Sequence, residues 1–146
     1  MSAEERGRLK RGQIGERVLR LEDGPLLAGA GTFAADWSFP DTLHMRVVRA
    51  SVAHGVITGI DTSAAEEMDG VIAVWTPADV ADIPLIDFRA TKYTGLDPYK
   101  QPVLARERVR YVGEPVAVVF ADDPYTAEDA ANLVFVDIDE LPAITD

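Results

Sequence analysis

From Pro115 to Ala121 the chain runs PVAVVFA, so that Val116, Val118, Val119 and Phe120 are apolar in both phases of a two-residue repeat. A strand with one wet face alternates apolar and polar side chains, so this run predicts a strand covered on both faces. The remainder of the chain has to pack around it. Asp122, Asp123 and Pro124 then stop the strand. Asp123 suits a helix N-cap, and Pro124 suits the first helical position, where its missing N–H removes a donor that has no partner. Ala127, Ala130, Ala131 and Val134 recur at i, i+3, i+4 and i+7, the spacing of a buried helical stripe. Small residues there let the helix sit close on a sheet, and Glu128 and Asp129 are expected toward the favourable end of its dipole. Val134, Val136 and Ile138 alternate with Phe135, Asp137 and Asp139, a second strand with one wet face. Val109–Pro142 is therefore expected as a compact unit of strand, short helix and returning strand.

The chain is large enough to surround that unit. With 146 residues, 47% of them hydrophobic, it predicts one globular domain with a real core. No apolar run approaches the ~20 residues needed to span a bilayer. The N-terminus, MSAEERGRLKRG, is charged and lacks the apolar core of a secretory signal, so cytoplasmic residence is expected. Cysteine is absent, which excludes disulfides, a thiolate nucleophile, Cys-ligated zinc and any iron–sulfur cluster held by this chain. Its 14 basic and 25 acidic side chains give a formal charge of −11. Nucleic acid and anionic membrane prefer the opposite sign, and neither is expected as a partner.

Residues 1–18 mix Glu, Arg, Lys and Gly with little apolar content, and read as a flexible N-terminal tail before a folded domain at 19–146. Gly29-Ala30-Gly31-Thr32-Phe33-Ala34 formally fits the G-x-G-x-x-A dinucleotide pattern. Gly24-Pro25 stands where a strand should precede it, and Trp37 to Pro40 breaks any helix after it, so turn glycines at positive φ are expected instead. Leu43–Val52 reads as a strand with Leu43, Met45 and Val47 on the apolar phase and His44 and Arg46 on the wet one. A bend at Ala53-His54-Gly55 leads to a second strand, Val56–Ile60. Ser63 and Glu66 have capping-box spacing for a short helix ending near Gly70, which suits the left-handed C′ position. Val71–Thr76 predicts another strand, and Pro77–Val80 a single helical turn. Between Asp82 and Gln101 the periodicity dissolves into a long aromatic-bearing connection, a type of segment that is often functional or interfacial. Phe88, Tyr93 and Tyr99 either contact a partner or pin the loop to its own domain.

No constellation here carries chemistry alone. His44 and His54 are the only imidazoles, without a third ligand at metal spacing. They read as a surface or hydrogen-bonded residue and a turn residue. Asp122/Asp123 serves as strand stop and cap, and Asp139/Glu140 is a pair that acidic composition produces unaided. None of Ser2, Ser38, Ser51 or Ser63 lies in G-x-S-x-G, and there is no P-loop. No catalytic, cofactor-binding or metal residue is assigned.

Several segments nevertheless share an order and spacing. They are Arg20-x-Glu22-Asp23-x-Pro25-Leu26-Leu27-x-Gly29-x-Gly31-x-Phe33-x-x-Asp36, then Pro40-x-x-Leu43-His44 and Val48-Arg49-Ala50-x-x-Ala53-His54-Gly55-x-Ile57. Ile60-Asp61-Thr62-Ser63-x-Ala65 and Asp69-Gly70-Val71 follow. Pro102-x-Leu104-Ala105, Val109-Arg110-Tyr111-Val112-Gly113-Glu114-Pro115-Val116 and Ala127-Glu128-Asp129-Ala130-Ala131 through Leu141-Pro142 complete the series. Across about residues 19–146 the chain resembles the N-terminal α/β-hammerhead domain of the molybdenum-binding large subunit in the xanthine dehydrogenase, aldehyde oxidase and carbon monoxide dehydrogenase family. Asp69 stands where that family has proline.

The resemblance implies an α+β fold, a mixed sheet with two short helices packed on it. It implies a structural domain of a molybdenum hydroxylase that oxidises a carbon centre or carbon monoxide with oxygen from water. The molybdenum-pyranopterin, [2Fe–2S] and FAD of such an enzyme would lie outside this chain, which binds no cofactor itself. Expected partners are the molybdenum-binding domains, absent from this sequence, together with iron–sulfur and FAD subunits. The chain is expected either as a truncated domain of a larger subunit or as its split piece, with truncation favoured. Two other classes stay open: a free-standing protein-interaction module that kept the fold, and a small-molecule-binding domain using the Asp82–Gln101 loop.

Overall fold

The computed structural model describes residues 20–88 and 95–143, which fall into two compact units divided after Phe39. The expected tail at 1–18 and Tyr93 lie outside the described residues. In the first unit, helix α1 (Asp23–Leu27) is followed by a single 3-10 turn at Ala34–Asp36. Gly29 has φ +68°, a left-handed conformation that Gly tolerates without strain. Gly31 serves close approach instead: a Cβ there would sit 2.6 Å from Leu26 Cδ2. A five-residue helix in place of a strand before these glycines removes the dinucleotide reading, as expected.

The second unit is built from β1 (His44–Arg49), β2 (Gly55–Asp61), α2 (Ser63–Glu66), β3 (Val71–Trp75), β4 (Arg108–Val109), β5 (Pro115–Ala121), α3 (Pro124–Leu133) and β6 (Phe135–Glu140). The α+β class holds. The single mixed sheet does not: the strands form two three-stranded antiparallel sheets, ordered β1-β5-β3 and β4-β2-β6. The reason lies in β5. Both of its edges are taken, by β1 and by β3, so the strand returning after α3 finds no free edge there and pairs with β2.

Helix α3 lies on β1, β5 and β3, and α2 packs against α3 and β3. Ala117, Val119, Ala65 and Ala130 are fully buried where they meet, joined by Val134. Alanines on α3 set the close helix-to-sheet distance that their spacing predicts. A second cluster, Ala50, Ala105, Val109 and Val116, lies against Ile57 and Ile138 of the other sheet. Val48 and Val136 touch both clusters and make the core continuous. Each fully buried valine among Val109, Val116 and Val119 contributes about 1.5–3 kcal/mol relative to exposure.

Asp123 caps α3 through Oδ1, which accepts from Tyr125 N at 2.8 Å and Thr126 N at 3.2 Å. Glu128 and Asp129 fall in the middle of α3, where the dipole offers them little, and Glu128 is held by Arg46 of β1. Four local expectations change. Ser63 does not cap α2; its N–H and hydroxyl both donate to Asp61 Oδ1, while Thr62 takes the N-cap position and donates to Glu66 at 2.7 Å. The strand read at 43–52 ends at Arg49, which still pairs with Pro115 of β5 after a register shift between Val48 and Arg49. Its wet phase holds only in part: Arg46 is exposed and Val47 half-buried as expected, but His44 is half-buried and Met45 exposed, because α3 covers the side on which Arg46 reaches Glu128. Gly70 has the expected left-handed φ, +88°, but in the turn just before β3 and not at C′, because α2 already ends at Glu66 with its C-cap at Glu67.

Candidate functional site

The residues of the Val109–Pro115 segment converge where the chain passes from β4 to β5. Gly113 turns it with φ +89°, and Glu114 is buried, only 3% exposed. A buried carboxylate needs partners, and both come from Arg110: its backbone N–H donates to Oε2 at 2.5 Å and its guanidinium to Oε1 at 3.4 Å. The backbone of the turn is stapled to the end of β1. Gly113 N donates to Ala50 O at 2.8 Å, Ala50 N donates to Glu114 O at 2.9 Å, and Arg49 donates to Gly113 O at 2.8 Å. With both oxygens engaged locally, Glu114 is a turn staple and not a free acid or base.

Beside this turn lies a concavity of about 450 Å³ lined by Ala53, His54, Arg110, Tyr111, Val112, Pro142 and Ala143. His54 Nδ1 sits 2.9 Å from Pro142 O. A carbonyl only accepts, so Nδ1 is the donor, and the imidazole ties the end of β6 to the start of β2. Leu141 N adds a hydrogen bond to His54 O at 2.9 Å. The walls are apolar apart from that ring, the already paired Arg110 and the Tyr111 hydroxyl. No serine, threonine or cysteine is among these lining residues.

Elsewhere among the described residues, the carboxylates held low belong to turns and caps. Asp61, Asp79, Asp87 and Asp123 are all held below the usual carboxylate range by hydrogen bonds in turns and caps: from Ser63, Thr76, Phe88 and Thr126 respectively. Lys100 is raised by its bonds to Asp97 and Asp87. A group poised for proton transfer at neutral pH needs the opposite shifts.

The sequence candidates scatter. His44 is on β1 near Asp123, His54 at the concavity, Asp122/Asp123 at the start of α3 and Asp139/Glu140 at the end of β6. Phe88 and Tyr99 are exposed, and both lie within the segment that the bridge between Ile86 and Gln101 closes. Among the described residues no three His, Asp or Glu side chains are placed to hold a metal ion, and the sequence supplies no thiolate for an iron–sulfur cluster. A cysteine-ligated [2Fe–2S] cluster therefore finds no ligands in this sequence. Sequence reasoning passed over Glu114 as a buried group; the available signal was an acidic residue wedged between Gly113 and Pro115, four residues after Arg110.

Residues 28–142 match the aldehyde oxidase and xanthine dehydrogenase a/b hammerhead domain. The chain belongs to that family. Among relatives, the nicotine 6-hydroxylase large subunit of Paenarthrobacter nicotinovorans is 44% identical over 94% of this chain and 17% of its own length. The xanthine dehydrogenase molybdenum-binding subunit of Escherichia coli O157:H7 is 34% identical over 87% of this chain and 17% of its own. In the crystal structure of quinoline 2-oxidoreductase from Pseudomonas putida 86, a segment 42% identical superimposes with TM-score 0.77, covering 88% of this chain and 16% of that one. The chain thus spans about a sixth of the length of each of these three. Among its described residues, no helix is long and apolar enough to cross a membrane.

Proposed function

We propose that this hammerhead is a packing scaffold within the molybdenum-binding large subunit of a molybdenum hydroxylase, either as one stretch of that polypeptide or as a split piece of it. The family match over residues 28–142 carries the reading, together with the small share of its relatives that the chain represents. Further support is that the buried Glu114, the capped Asp123 and the tethered His54 are all consumed in holding turns. The chemistry of such an enzyme, hydroxylation of a carbon centre or oxidation of carbon monoxide, is supplied by molybdenum-pyranopterin, with [2Fe–2S] and FAD in partner subunits accepting the electrons. The exposed Ile86, Phe88 and Tyr99 of the 82–101 connection offer contact points for those partners.

The test is to isolate the protein from its native complex and measure molybdenum and subunit composition. Co-purification with a molybdenum-bearing polypeptide is expected, and the 146-residue chain alone is expected to turn over no aldehyde, purine or carbon monoxide. Turnover by that chain unaided would refute the scaffold role. The concavity beside His54 favours a second reading as a small-molecule module, which predicts ligand-induced thermal stabilisation of the isolated chain.

A further inference from the structure

The strand β5 is apolar in both phases, yet only one phase is fully covered. Ala117, Val119 and Ala121 are completely buried on the side of α2 and α3. On the other phase Val116 is buried by the second core cluster, but Val118 and Phe120 are only half-buried. The pairing register extends them into two cross-strand rows, Met45–Phe120–Ala73 and Val47–Val118–Trp75. An edge-on ring contact between Trp75 and Phe120, with centroids 4.7 Å apart, joins the rows. Met45 is 57% and Trp75 46% exposed, and neither row contains a charged or polar side chain.

A contiguous apolar face of this kind marks an interaction surface. Two facts choose its occupant. A second copy would bring a formal charge of −11 against −11, which opposes association, whereas the face itself asks only for apolar complementarity. The relatives carry this segment inside chains five or more times longer, so in them a large polypeptide adjoins it. We infer that the open face of β1-β5-β3 docks onto an apolar surface of the large-subunit polypeptide outside the hammerhead. This completes the cover that the sequence of β5 calls for. The inference rests on the scaffold reading above and adds the face that performs it.

A photo-reactive phenylalanine analogue in place of Trp75, in the native complex isolated through this chain, tests the face directly. Cross-linking to large-subunit residues outside the segment equivalent to 28–142 is expected. A link between two copies of position 75, or no link at all in a complex that contains molybdenum and the large polypeptide, overturns the docking face and leaves the scaffold reading intact. A complex without molybdenum or that polypeptide overturns both. Met45→Glu supplies a second variant, because its exposed position leaves the fold undisturbed. Burying an unpaired carboxylate in an apolar contact should weaken the association at least ~10-fold while the melting curve of the isolated chain is unchanged. Unchanged affinity for the large polypeptide would count against the face.

Discussion

Gly55 opens β2 where both neighbouring strands meet it, paired with Val109 of β4 and Glu140 of β6. An alanine Cβ there would lie 2.3 Å from Ile138 Cγ2 and 2.8 Å from Asp139 O. The isoleucine methyl can rotate away, but the carbonyl belongs to the backbone of β6 and moves only if the ladder moves. Overpacking of this kind costs about 1–3 kcal/mol. Removing a glycine from the unfolded chain returns roughly 0.4–1 kcal/mol. Gly55→Ala should therefore destabilise by about 1–2 kcal/mol, or a melting temperature lower by about 3–7 °C for a chain of this size. Gly59, in the same strand, is the control, since its Cβ would meet only Asp137 atoms at 3.9 Å. Gly59→Ala should be neutral or stabilise by about 0.4–1 kcal/mol. Urea unfolding followed by far-UV circular dichroism measures both, with the midpoint changing and the slope constant. A Gly55→Ala protein as stable as the parent, or a Gly59→Ala protein weakened equally, would show that approach between strands is not what reserves position 55 for glycine.

Three further outcomes are expected. Thr126→Val removes the largest influence lowering the Asp123 carboxyl, so its pKa should rise toward the ordinary value in a carbon-detected NMR titration. Because a depressed carboxylate stabilises the fold above the unfolded pKa, the variant should be less stable than the parent at pH 7, with the gap closing as pH falls below about 4. Ala130→Leu forces a larger side chain between α3 and the sheet and should lower stability by about 1–3 kcal/mol in thermal unfolding, if the close contact is as tight as its full burial indicates. Gly70→Ala combines a left-handed φ of +88° with a Cβ 2.7 Å from Asp122 Oδ1, and should depress the melting temperature, whereas Gly24→Ala, with open space around it, should not.

The β5–α3–β6 run was legible because its signals are local: Asp123-Pro124 punctuates it, and the alanine period and the Val136/Ile138 alternation need no distant partner. Pairing was not legible. Nothing in a strand–helix–strand pattern says that His44 and Val71 both register with Ala121 and close both edges of β5. The alternation at Leu43–Val47 gave the period of β1 but not the covered side, which depends on where Arg46 finds Glu128. At the candidate site, the ordered motifs around Arg110-Tyr111-Val112-Gly113-Glu114 were readable as a family resemblance. The burial of Glu114 was not, since it arises from a left-handed Gly113 folding the carboxylate back onto Arg110.

The central position of β5 also governs how the protein is made. Neither β1 nor β3 has a partner in its sheet until β5 emerges from the ribosome, and the roughly 40 residues between Trp75 and Pro115 take about 2–8 s to translate at ordinary elongation rates. Throughout that interval the nascent chain carries two unpaired strand edges, VIAVW among them, which are open to pairing with other nascent chains. Slower synthesis across residues 76–114 would lengthen this vulnerable interval, and a chaperone that shields extended segments would be most useful during it.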